Sequence, residues 1–163
     1  MLTKKVIRET LAICKKYNIK TAVDPKRNNF FEYHGVTLFK PNLKEVKEAL
    51  NITTADKESI HKAAVILRQK LEATKILITL SENGALILED EIIFVNAIPR
   101  NIVDVSGAGD SVIAVASMCL VNNFDNQKIL AYSNIAGGMV CEKAGVVSIN
   151  LEALKKEIEA QSK

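Results

Sequence analysis

Val103-Asp104-Val105-Ser106-Gly107-Ala108-Gly109-Asp110 runs straight into the apolar stretch 111–121, and this junction decides how the chain is read. Two glycines at the start of a buried helix permit a tight turn and leave backbone N–H groups unscreened by side chains. The helix dipole, equivalent to about half a positive charge, adds to them, so the junction suits a phosphate or a developing oxyanion. Asp110 is the unusual member, because a carboxylate there favours the dipole but repels a bound phosphate. It makes chemical sense if it takes a proton from a hydroxyl that attacks a phosphoryl group. The alternative is that Ser106 and Asp110 cap the helix while the glycines serve close packing. Neither common nucleotide motif is present: G-x-G-x-x-G would need glycine where Val112 stands, and G-x-x-x-x-G-K occurs nowhere.

Upstream of the junction, periodicity predicts a helix up to Tyr17-Asn18, a strand over Thr21–Val23 closed by Asp24-Pro25, and a polar loop from Lys26 to Gly35. A second strand, Val36–Phe39, ends at Lys40-Pro41-Asn42, where a helix can start. A helix from about Asp56 to Leu71 leads into a buried strand over Lys75–Leu80. Ser81 to Gly84 reads as a turn, and Ala85–Leu88 with Ile92–Val95 as a hairpin around Glu89-Asp90-Glu91. Downstream lie helices from about Gly107 to Val121, Asn126 to Lys143 and Leu151 to Gln161. Strand and helix alternate with short connections, which predicts a layered α/β domain. Only two or three candidate parallel strands and a hairpin are available, few for a doubly wound sheet.

Composition bounds the function. The 163 residues, 48% hydrophobic and 25% charged, suit one globular domain. Five Phe, three Tyr and no Trp leave little for a base-stacking platform, and a net charge of +3 spread along amphipathic stretches reads as solvated helix faces. No nucleic-acid partner is expected. Cys14, Cys119 and Cys141 have no metal-ligand or disulfide spacing, which fits a reducing cytoplasm. Lys4, Lys5, Arg8 and Glu9 interrupt any signal core. The longest apolar run, 112–121, is about half of the roughly 20 residues needed to span a bilayer. No membrane partner is expected either.

The motif D-V-S-G-A-G-D resembles the D-T-x-G-A-G-D signature of the ribokinase (PfkB) family of carbohydrate kinases. Its continuation Ser111-Val112-Ile113-Ala114-Val115 is similar to the T-V-I-G-V of heptose 7-phosphate kinases, which start nucleotide-heptose synthesis for lipopolysaccharide or surface glycans. Val23-Asp24-Pro25-Lys26 resembles the V-D-P-K of the same kinases, and Lys40-Pro41-Asn42-Leu43-Lys44-Glu45 resembles the family's P-N-x-x-E. Thr79-Leu80-Ser81-Glu82-Asn83-Gly84 and the stretch Ser133-Asn134-Ile135-Ala136-Gly137 through Lys143-Ala144-Gly145 match in the expected order. The resemblance implies a ribokinase-like three-layer α/β/α sandwich, here its N-terminally truncated, C-terminal nucleotide-binding part over residues 1–163.

The resemblance also implies roles. Asp110 would be the base that activates the sugar hydroxyl, and the backbone of Gly107, Ala108 and Gly109 would stabilise the transferring phosphate. Asn42 and Glu45 would organise Mg2+-bound phosphates through water, although Asn-x-x-Glu also reads as a helix capping box. Lys26, Thr79, Ser81, Gly84, Asn134 and Gly138 would contact ATP. For Lys26 the ordinary reading is an exposed loop lysine, and for Asn134 a helix residue bonded to solvent or backbone. A monovalent cation, K+, would sit on backbone carbonyls near Asp104, Ser106 and Gly145. The acceptor would be a sugar phosphate, with heptose 7-phosphate first and another sugar of ribokinase-like kinases second. The residues that recognise the sugar belong to the N-terminal half of such kinases and find no match here. The isolated chain is therefore expected to transfer phosphate poorly, and to form a homo-oligomer or associate with that missing half. The alternative reading is a non-catalytic nucleotide-binding or self-associating fragment.

Overall fold

The computed structural model describes residues 2–54 and 56–161. These form two compact units, Met1–Leu80 with Leu86–Ile93, and Ser81–Ala85 with Phe94–Lys163. Five strands, β1 (Ala22–Val23), β2 (Leu38–Phe39), β3 (Lys75–Thr79), β4 (Ala85–Leu88) and β5 (Ile92–Val95), lie in one sheet in chain order. β1, β2 and β3 run parallel. The connections from β3 to β4 and from β4 to β5 are too short for a crossover, so both turn back antiparallel.

In the first unit, α1 (Lys4–Lys16), α2 (Leu43–Leu50) and α3 (Lys57–Leu71) accompany the parallel strands. Their core is aliphatic: Leu38, Phe39, Leu67, Leu71, Ile76, Leu77, Ile78, Leu86 and Ile87 are fully buried. Each such side chain contributes about 1.5–3 kcal/mol by leaving water. β1 and β2 are shorter than the alternation predicts, and two threonines explain the difference. The Thr21 amide donates to Thr37 Oγ1 and the Thr37 amide donates to Thr21 Oγ1, each at 3.0 Å, so side chains replace the ladder there. Main-chain pairing resumes one residue later, with Leu38 N donating to Thr21 O at 2.9 Å. Asn51 and Glu72, both left-handed at φ 52° and 51°, end α2 and α3.

The second unit is helical: α4 (Ala108–Val121), α5 (Asn126–Cys141) and α6 (Leu151–Gln161). α4 and α5 pack so closely that a Cβ on Gly137 would lie 2.7 Å from Val112 Cγ2. α5 ends two residues before the periodicity predicts, at Cys141. Cys119 and Cys141 are free thiols, and burial pushes both pKa values up. No helix among the described residues is long and apolar enough to cross a membrane.

Candidate functional site

In the first unit, the carboxyl ends of the three parallel strands gather motif residues along one edge. Asp24 follows β1, Lys40-Pro41-Asn42 follows β2, and Thr79 ends β3, with Asn42 and Thr79 bridged in parallel register. The Lys40 amide donates to Val23 O at 2.8 Å and the Thr79 amide to Pro41 O at 3.2 Å. This edge is where parallel α/β sheets place their ligands. Lys40, whose side chain is only 3% exposed, pairs through Nζ with Asp24 Oδ1 at 3.0 Å. Lys26, at 79% exposure, approaches the other oxygen, Oδ2, at 3.5 Å. Asp24 and Lys40 both lie within the family-like motifs, where sequence alone assigns neither a role. Their pairing joins residues sixteen positions apart through the sheet register and carries no local sequence signal.

Asn42 and Glu45 form a complete capping box. Asn42 Oδ1 accepts from the Glu45 amide at 2.9 Å, and Glu45 Oε2 accepts from the Asn42 amide at 2.8 Å. The capping reading therefore holds. The box engages one carboxylate oxygen of Glu45, and Oε1 remains outside it. That arrangement fits a role toward Mg2+ through water.

In the second unit, α4 begins differently. Its N-cap is Gly107, left-handed at φ 83°, and no side chain among the described residues caps the helix. A residue with a Cβ is strained at that φ, so glycine is required. The Ala108 amide reaches Val105 O at 3.2 Å and the Ser111 amide Gly107 O at 2.9 Å, while the amides of Gly109 and Asp110 have no partner among the described residues. Ser106 and Asp110 thus do not cap the helix, and Asp110 lies exposed in its first turn. Free donors at a positive helix end can hold an anion.

The loop before α4 is pinned by Asp104. Its Oδ1 accepts from the Ser106 amide and its Oδ2 from the Gly145 amide, both at 2.9 Å. These donors, Ser106 first, hold the carboxyl below its ordinary range. With both carboxylate oxygens engaged, the free ligands at Asp104, Ser106 and Gly145 are backbone carbonyls, the donor type that suits K+.

Ser81 opens a short turn at φ 55°, and the Gly84 amide donates to Ser81 O at 3.1 Å. A Cβ on Gly84 would lie 2.0 Å from Val95 O, so only glycine fits against that strand. Asn134 Nδ2 donates to Asn96 O at 3.0 Å, tying α5 to the segment after β5. Gly138 lies against Arg100, whose Cδ would stand 3.0 Å from a Cβ there. Arg100, which no sequence motif marks, pairs with Glu142 at 2.8 Å and Glu157 at 2.6 Å while only 8% exposed. Its Nε is buried without a hydrogen-bond partner among the described residues, at a cost of about 1–3 kcal/mol.

Comparison with known proteins places these motifs. The model of the pfkB family carbohydrate kinases matches residues 2–153. The chain belongs to that family. The Bifunctional protein HldE of Campylobacter jejuni is 36% identical over 155 residues, covering 95% of this chain and 34% of its own length. That of Aliarcobacter butzleri is 34% identical over 154 residues, covering 94% and 32%. The chain thus spans about a third of the length of these curated relatives. Among solved structures, Escherichia coli phosphofructokinase-2 in complex with potassium superposes with a TM-score of 0.89 at 20% identity, covering 99% of this chain and 54% of that one. Arabidopsis thaliana ribokinase complexed with ribose and ATP gives 0.82 at 17%, covering 94% and 52%. The α/β fold of this family member is the ribokinase-like one that its motifs imply.

Proposed function

We propose that this chain is the nucleotide-holding part of an ATP-dependent sugar kinase that works in the cytoplasm, and that its acceptor is heptose 7-phosphate, converted to the 1,7-bisphosphate. The observation that carries this reading is the uncapped start of α4, where free amides of Gly109 and Asp110 adjoin an exposed carboxylate in a family member. Asp110 takes the proton of the attacking sugar hydroxyl as its oxygen bonds to the γ-phosphorus of ATP and the bond to the β,γ-bridging oxygen breaks. The amides of the 107–110 turn hold the oxygens of the transferring group, so the charge developing there meets fixed donors. Asn42 and Glu45 would hold Mg2+ through water, and it would supply charge neutralisation on the phosphates. Toward the nucleotide, this reading assigns Lys26 and Thr79 in the first unit and Ser81, Gly84, Asn134 and Gly138 in the second. The backbone carbonyls near Asp104, Ser106 and Gly145 would hold K+, which would supply positive charge beside the turn. The heptose assignment rests on Asp24-Pro25-Lys26, on Val112-Ile113-Ala114-Val115 and on the similarity to HldE.

On this reading residues 1–163 carry the nucleotide side of the reaction, and by themselves they transfer phosphate poorly without an acceptor-binding half. Exposed apolar residues, Val6 and Ile13 on α1 and Tyr17 at its C-cap, favour such an association, with that half or with a second copy. Calorimetric titration of the chain with Mg-ATP and Mg-ADP tests the reading. Saturable binding that Gly107→Ala weakens supports it. Absence of binding by a folded chain overturns it and leaves a self-associating fragment.

A further inference from the structure

Arg100 sits on the segment that joins β5 to α4, seven residues before the Gly107 turn. Its guanidinium forks between two helices: Nη1 donates to Glu142 Oε2 at the end of α5, and Nη2 to Glu157 Oε1 on α6. The side chain crosses α5 at Gly138, where a Cβ would stand 2.9 Å from its Nε, so the glycine clears the path. Two further bonds fix the same segment three residues on, where the Val103 and Asp104 amides both donate to Cys141 O at 2.8 and 3.1 Å. Asp104 then holds the Ser106 and Gly145 amides. Arg100, Val103, Asp104 and Ser106 are thus successive fixed points leading to Gly107, and the first of them is the one that reaches α6.

We propose that Arg100 is a positioning residue for the 107–110 anion site, and that α6 acts on this site through Glu157. The proposal rests on reading that turn as the phosphate site. Arginine is needed because a planar fork can serve two carboxylates in different directions, whereas an ammonium is a single point charge. Arg100 is nearly fully buried while Glu142 and Glu157 are 40% and 29% exposed, so solvent screens these pairs less than surface ones. The unpartnered Nε is consistent with a side chain held for where its two terminal nitrogens reach.

Amide hydrogen exchange on the full chain tests this without any need for turnover. Glu157→Gln keeps an acceptor oxygen but removes the charge, and it should speed exchange at the Ser106 and Gly145 amides by about tenfold while β3 amides are unmoved. Glu152→Gln, on an exposed pair of the same helix, should change neither. Arg100→Lys should resemble Glu157→Gln. Should Arg100→Lys fail to fold, the Glu157 variant decides alone. A merely structural pair would lower overall stability and raise exchange across α4 and α5 together. That result, or unchanged exchange at Ser106 and Gly145, overturns the proposal. Adding Mg-ATP separates it from the reading beneath it: no protection of 107–110 amides in the unaltered chain defeats the phosphate site, whereas the Glu157 comparison is read without nucleotide.

Discussion

At the start of α2 the Asn42 side chain takes the Glu45 amide and the Glu45 carboxylate takes the Asn42 amide, whereas at the start of α4 glycine replaces the cap. α1, α3 and α5 are closed like α2, by Thr3, Asp56 and Asp125, and Asn150 accepts from the Ala153 amide at α6. The difference teaches what each end is for. A closed end spends its donors on stability, and an open end keeps them for something outside the chain. Both ends carry family motifs, so motif similarity alone does not separate a structural turn from a chemical one. Hydrogen bonding does.

The largest expected effect breaks the comparison at its open end. In an enzyme completed with the acceptor-binding half of a family kinase, Asp110→Asn should lower kcat about 10²–10⁴-fold, the range for a lost general base, with Mg-ATP affinity retained. Undiminished kcat would make the open end mere architecture. Next, Asp24→Asn leaves the buried Lys40 ammonium without its carboxylate and should destabilise the chain by about 3 kcal/mol in urea titration. Gly107→Ala should cost about 1–2 kcal/mol, because the left-handed turn then strains a side chain, and should weaken Mg-ATP binding by more than its stability loss explains. Asn42→Ala opens the closed end and should cost about 1 kcal/mol in the same assay. The smallest effect concerns pH. The Asp104 carboxyl is held below its unfolded value, so its contribution is present above the unfolded pKa and is lost as pH falls through the folded one. Asp104→Asn should therefore lower Tm at pH 7, and the gap to the unaltered chain should close toward pH 2.

Much of the fold was legible because local rules decided it. Asn42 and Asp56 announced helix starts that the structure keeps, and the hairpin boundaries at Ala85–Leu88 and Ile92–Val95 are those predicted. Strand lengths were not legible, since the Thr21–Thr37 exchange depends on which strands become neighbours. The α4 turn could be read from its glycines, but whether Ser106 would cap it could not, because that turned on Asp104 reaching both Ser106 and Gly145. Arg100 was invisible for the same reason. Its partners lie 42 and 57 positions away, and a lone arginine before a motif reads as surface.

The threonine exchange has one more consequence. β1 and β2 share only two paired residues each, too few for the ladder itself to choose between alignments. A slip by one position would turn Leu38 and its neighbours toward the opposite face. Thr21 and Thr37 satisfy each other in a single alignment, so the pair works as a key that rejects mispaired strands while the sheet is being assembled. Replacing either with valine would keep the shape and the β-preference, but would remove that selectivity.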